Sequence, residues 1–95
     1  MTTYIVFTRE KTIDPAELKT YGEMAGAASA GHNLTPLVIY GKQEVLEGPE
    51  IEGVVVLAFA NAQEAKAWYN SDAYKAAREH RFKGAQYRAV MVEGI

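Results

Sequence analysis

The segment SDAYKAAREHR, residues 71–81, holds the side chains best suited to chemistry in this chain. At about 100° per residue, Asp72, Lys75, Glu79 and Lys83 share one stripe of a helix. Ala73, Tyr74 and Ala77 lie opposite, and Arg81 lands among them with Arg78 at the edge. A guanidinium cannot be neutralised in a protein, so on an apolar face it requires an anion or a fan of carbonyl oxygens. Two partners fit. Glu93 on the last strand, or Glu47, closes a structural ion pair; alternatively Arg81 clamps a ligand carboxylate or enolate. Arg78 is either solvated or at the rim of the same cleft.

Tyr74 precedes Arg78 by one turn, and Tyr21 faces inward from an earlier helix. A tyrosine buries its ring and still offers a hydroxyl. As core residues the two simply pack. As site residues they line a cleft with polar tips, suited to a small aromatic or polyketide-like ligand. Trp68 and Tyr69 supply packing or dimer contacts. His32, in AGHN, either interacts with the negative end of the first helix or serves as a general acid–base at the cleft mouth. His80 falls on the flank of its helix and reads as a surface residue. The run GEMAGAASAG places Gly22 and Gly26 inside a helix, each costing roughly 1 kcal/mol relative to alanine. They permit close helix–sheet approach or leave room for a ligand. Glu44, Glu47, Glu50 and Glu52 cluster at a turn and read as solvated.

Several function classes are disfavoured. The chain has 95 residues, a net charge of −2 and scattered basic residues, so no nucleic-acid footprint or polybasic membrane surface is expected. Without cysteine there is no disulfide, thiolate metal site or cysteine nucleophile. Two histidines far apart make a weak metal case. Phosphate-cradling glycine loops and a GxSxG nucleophile elbow are missing. No metal and no cofactor is expected. The absence of a membrane-length apolar run or a signal-like N-terminus makes the cytoplasm the default expectation.

The elements that must position these residues follow from patterning. TYIVFT (3–8) reads as a strand. Asp14, Pro15 and Glu17 open a helix with capping-box logic, and Gly31 offers a stop. TPLVIYGKQEVLEG (35–48) reads as a strand, bent or bulged near Gly41. GVVVLAF (53–59) is a central strand. Asn61 caps a second helical segment and Ser71 caps again inside it, which predicts a break near Asn70. QYRAVMVEG (86–94) closes as a strand. One domain, residues 1–95, in the order βαββαβ gives an α+β, ferredoxin-like plait: a four-stranded antiparallel sheet with two helices on one face. Tyr4 and Val6 oppose Ile5 and Phe7, Val54 and Val56 oppose Val55 and Leu57, and Val90 opposes Met91. Both faces of the sheet are apolar, whereas a half-exposed antiparallel sheet alternates. A homodimer through the uncovered sheet face is expected.

DPAELKTY, LEG, VVVLAFANAQEAKAWYNSDAYKAAREHR and the terminal VEG together resemble the family known as domain of unknown function 1330, within the dimeric α/β-barrel superfamily. The resemblance covers essentially the whole chain and implies a ferredoxin-like protomer paired with a second copy. It carries the family pattern onto Tyr21, Trp68, Tyr69, Ser71, Tyr74, Arg81, Glu93 and Gly94, departing at Asp72 and in the turn AGHNLTPL. The wider superfamily includes cofactor-free monooxygenases, muconolactone-type isomerases and haem-using members. The candidate catalytic set is therefore His32, Tyr74 and Arg81, and the candidate binding set Tyr21, Tyr69, Ser71, Arg78 and Glu93. Two functions stand side by side. One is a cofactor-independent isomerase, cyclase or monooxygenase-like enzyme acting on a small aromatic or enolisable carboxylate. The other is a non-catalytic homodimeric metabolite-binding or structural module.

Overall fold

The computed structural model describes residues 1–95. Its elements are β1 (Thr3–Thr12), α1 (Pro15–Ala28), β2 (Leu34–Ile39), β3 (Gly53–Phe59), α2 (Ala62–Tyr69), α3 (Asp72–Gly84) and β4 (Ala85–Glu93). The strands form one antiparallel sheet in the order β2-β3-β1-β4. This is the α+β plait expected, and the break expected near Asn70 is there: the second helical segment is two helices. Asn70 ends α2 and Ser71 starts α3.

Ser71 explains the break. Its hydroxyl accepts from the Tyr74 amide at 3.2 Å and donates to the Trp68 carbonyl at 2.7 Å, closing one helix and opening the next. The other caps work similarly. Asp14 accepts from the Ala16 amide, and Asn61 accepts from the Glu64 amide at 2.9 Å. Glu17 does not complete a capping box. Its carboxylate instead meets His80 Nδ1 at 2.5 Å, so His80 is a half-buried tie between α1 and α3 rather than a surface residue. The same two helices touch at Gly84, where an added Cβ would stand 2.8 Å from the Leu18 side chain.

The second strand is much shorter than residues 35–48. It stops at Ile39 because Tyr40 turns to φ 51°, a left-handed conformation that ends a β-ladder. The register shift falls between Pro36 and Val38, not near Gly41. Residues 40–52 then return without regular structure to Gly53.

Register fixes the two faces. Thr3, Ile5 and Phe7 of β1 lie beside Phe59, Leu57 and Val55, and beside Glu93, Met91 and Ala89. The helices cover this side. Its core comprises Ile5, Phe7, Leu57 and Phe59 from the sheet with Ala28, Ala65, Trp68, Tyr74 and Ala77 from the helices. The opposite side carries Tyr4, Val6, Val54, Val56, Ala58, Val90 and Val92, and no element of the chain crosses it. Val90 and Val92 are each 49% exposed there. The protomer is accordingly a slab of 31 × 30 × 17 Å.

Ser71→Ala removes a cap that also ties two helices, so it is expected to cost about 1 kcal/mol. A shift of the urea midpoint with an unchanged slope is the measurement that checks it.

Candidate functional site

Four tyrosines and one arginine converge beneath α1. Tyr21 comes from the inward face of α1, and Tyr74 from the first turn of α3, set there by the Ser71 cap. Their hydroxyls are 2.8 Å apart, with rings edge-on at 6.2 Å. Tyr40 and Tyr87 form a second hydroxyl pair at 2.5 Å, joining the end of β2 to β4. Tyr40 is held by the Arg9 guanidinium over its ring at 4.7 Å, and Arg9 is held in turn by Glu52 at 3.3 Å. Gly53 makes room, since a Cβ there would be 2.5 Å from the Tyr40 ring.

Between these pairs lies a cavity of about 300 Å³. Its walls include Phe7, Leu57 and Val55 from the sheet, Trp68 from α2, and Tyr21, Gly22, Ala25, Gly26 and Ser29 from α1. The two helical glycines face open space, with nothing within 4 Å of a Cβ built on either. Their cost in helix propensity therefore does not serve close packing, and both line the cavity. None of the lining side chains is charged.

Arg81 sits behind this lining. It is 3% exposed and makes neither a side-chain hydrogen bond nor an ion pair; its Nε is buried without an acceptor. The guanidinium packs against three rings instead: Phe7 at 5.3 Å, and Phe82 and Tyr87 at 5.2 Å each. Two of those rings, Phe7 and Tyr87, also line the cavity. Neither internal carboxylate meets it. Glu93 is exposed, opposite Thr3 in the sheet, while Arg81 touches Tyr87, opposite Arg9 and six residues back along β4. Glu47 is exposed in the 40–52 segment.

Burial raises the pKa of the Tyr21, Tyr40 and Tyr74 hydroxyls, because a phenolate would be desolvated there. Arg81 pulls the other way on Tyr21 and Tyr74. The phenols thus stay protonated at neutral pH while facing a positive charge. Such a group donates hydrogen bonds to an oxyanion and does not act as a base.

The remaining candidates are dispersed. Arg78 lies over the Tyr69 ring at 4.5 Å, and its Nη1 donates a long bond, 3.4 Å, to the Tyr69 carbonyl. Tyr69 also lines a separate apolar groove with Ile5, Ala65, Lys66 and Met91. Ser71 is a cap. His32 lines a shallow cleft with Asn33, Glu64 and Ala67, apart from the tyrosine cavity. The residues sequence reasoning missed are Tyr40, Tyr87 and Arg9. Tyr87 had a signal: in alternation with Ala85 and Ala89 it belongs to the helix-facing set of β4. Tyr40 had none, because its place depends on the left-handed turn. Nowhere do three His, Asp or Glu side chains gather closely enough to hold a metal ion. No helix is long and apolar enough to cross a membrane.

Comparisons with known proteins agree with this architecture. A family model described as "domain of unknown function (DUF1330)" matches residues 2–95. No curated protein matches the sequence. Among solved structures, a protein of unknown function from Rhodopseudomonas palustris superposes with a TM-score of 0.75 at 14% identity, covering 99% of this chain and 82% of that one. A dimeric protein of unknown function with a ferredoxin-like fold, from Bacteroides fragilis, gives 0.66 at 12% identity, covering 98% and 96%. SnoaB, a cofactor-independent oxygenase from Streptomyces nogalater, gives 0.68 at 7% identity, covering 99% and 93%. At these identities the likeness is one of fold.

The tyrosine shifts have a signed consequence. Raised folded-state values mean that the native protein holds protons the unfolded chain releases near pH 10.0, so this stability is complete below pH 10 and lost as pH rises above it. Tyr21→Phe is expected to flatten that alkaline decline. Unfolding free energy measured from pH 8 to 11.5 checks it.

Proposed function

We propose that this chain, which belongs to the DUF1330 family, is a small enzyme working without a cofactor of its own on an aromatic or enolisable substrate between α1 and the sheet. The observation that carries the reading is Arg81, a buried guanidinium without a carboxylate partner, set behind a cavity whose wall includes Tyr21, Tyr40 and Tyr87. Negative charge developing on a substrate oxygen near Tyr21 would accept its hydrogen bond, with Tyr74 supporting that hydroxyl at 2.8 Å. The Arg81 charge would stabilise the same oxyanion through a water-poor, low-dielectric wall. Fixed donors and charges of this kind are the largest single source of catalysis in many enzymes.

The lining offers donors and no base. That balance suits a substrate acidic enough to pass its proton to water, whose enolate or phenolate then isomerises, cyclises or meets oxygen. The distant fold relative described as a cofactor-independent oxygenase is compatible with this class. His32, Glu93 and Ser71 have no part in the proposed chemistry. Tyr69 belongs to the neighbouring groove, and Arg78 is held over its ring. A second copy of the chain is proposed to cover the open sheet face, supported by its apolar residues and by fold relatives described as dimeric. A non-catalytic homodimeric module is the competing reading. The three rings around Arg81 favour it, since they give the charge a partner without any ligand.

Thermal melting of wild type and Arg81→Met against small aromatic, keto and unsaturated compounds decides between them. On the enzyme reading Arg81→Met folds normally, and a compound at 100 times its Kd stabilises wild type by about 2.7 kcal/mol and the mutant by less. A mutant that melts several degrees lower, with no compound shifting either protein, supports the structural module. For the dimer, Val56→Lys places a charge at the centre of the open face and is expected to give a monomer by light scattering. A mutant that keeps the wild-type mass would remove the sheet face as the interface.

A further inference from the structure

The sequence suggests a carboxylate for Arg81, yet the geometry points to a different ligand. We infer that the cavity takes a flat, uncharged aromatic or keto–enol molecule bearing oxygen at both ends, and discriminates against ligands that arrive as carboxylates. The inference rests on the cavity being the binding site, as proposed above, and narrows what enters it.

Three observations carry it. First, the wall is uncharged throughout, and Arg81 is not part of it. A carboxylate would leave water for hydroxyl donors with no counter-ion in contact, and burying an unpaired charge is the most costly form of polar burial. Second, the polar atoms come as two hydroxyl pairs, Tyr21 with Tyr74 and Tyr40 with Tyr87. Each pair holds two protons and uses one internally; Tyr74 does not line the cavity, so with Tyr74 donating to Tyr21 the Tyr21 proton is left for a ligand oxygen, and in the other pair Tyr40 or Tyr87 offers the second donor. Tyr21 lies on α1 and Tyr40 at the end of β2, which places the two pairs on different elements around one apolar cavity. Third, Trp68 lines the same cavity, is 2% exposed, and has an indole Nε1 donor buried without an acceptor. Phe7 and Tyr87 line the cavity beside it, and an aromatic lining of this kind suits a ring system.

The volume sets the size. About 300 Å³ lies at the lower end of the usual range for ligand pockets, roughly 300–1,000 Å³, so one or two fused rings fit and a larger skeleton does not.

A matched pair of probes tests the inference: naphthalene-2,6-diol and 6-hydroxy-2-naphthoic acid. They share a ring system and one hydroxyl, and differ in the charge of the second oxygen group at pH 7. Titration calorimetry with wild type is expected to show the diol binding at least tenfold tighter than the acid. Tyr21→Phe should weaken the diol roughly three- to tenfold, the worth of one hydrogen bond. Gly26→Leu, a good helix former that sets a bulky side chain at the cavity lining, should abolish diol binding in a folded protein. If the acid binds as tightly as the diol, and Arg81→Met and Gly26→Leu each abolish it, the cavity remains the site but the uncharged-ligand assignment is overturned. If neither probe binds, or Gly26→Leu leaves the binding of both unchanged, the cavity reading itself fails and the assignment with it.

Discussion

The Ser71 hydroxyl is the fixed point from which the rest of the helical layer is hung. By capping α3 and closing α2 in one residue, it sets the angle at which the two helices meet the sheet. The Trp68 and Tyr74 rings come to 4.0 Å centroid separation across that corner, and Trp68 packs on Phe59 at 5.7 Å and edge-on to Phe7 at 6.4 Å. With Tyr74 fixed, helical spacing carries Ala77 and Arg81 onto the same buried stripe. The guanidinium therefore reaches the Phe7 and Tyr87 rings because of a cap ten residues earlier.

What results is an inversion of the usual relation between charge and site. The charge is buried in the scaffold, among rings, while the wall that a ligand would touch is neutral. Tyrosine hydroxyls stand between the two, kept protonated by burial and polarised by the cation behind them. On the proposed function, an arrangement of this kind would respond weakly to an anion already formed in water and strongly to charge that appears on a bound oxygen.

Much of this was legible in the sequence, and the parts that were not have a common cause. Cap residues act locally, so Asp14, Asn61 and Ser71 located the helix starts and the break. Alternation acts locally too, so Val54 to Phe59 announced a strand apolar on both sides. The inward placement of Tyr21, Tyr74 and Arg81 followed from helical spacing alone. The failures required a partner far away in the chain. Glu17 left its capping box for His80, 63 residues on. The second strand ended at Tyr40, whose left-handed turn is accompanied by the Tyr87 hydroxyl, the Arg9 cation and the space over Gly53. No pattern within residues 35–48 encodes those three contacts. The wall contributed by Tyr40 and Tyr87 stayed hidden for the same reason.

The 17 Å thickness of the protomer has a thermodynamic consequence. A single helical layer on a single sheet leaves every buried side chain about one residue from solvent, and a domain of this size buries a modest fraction of its surface alone. The same strands whose inner face anchors Trp68 and Phe7 present valines on the outer face. Association through that face would thicken the layer that holds the cavity floor. Folding and assembly would then be one coupled equilibrium, and the exchange of β1 and β3 amide hydrogens with solvent would slow as protein concentration rises.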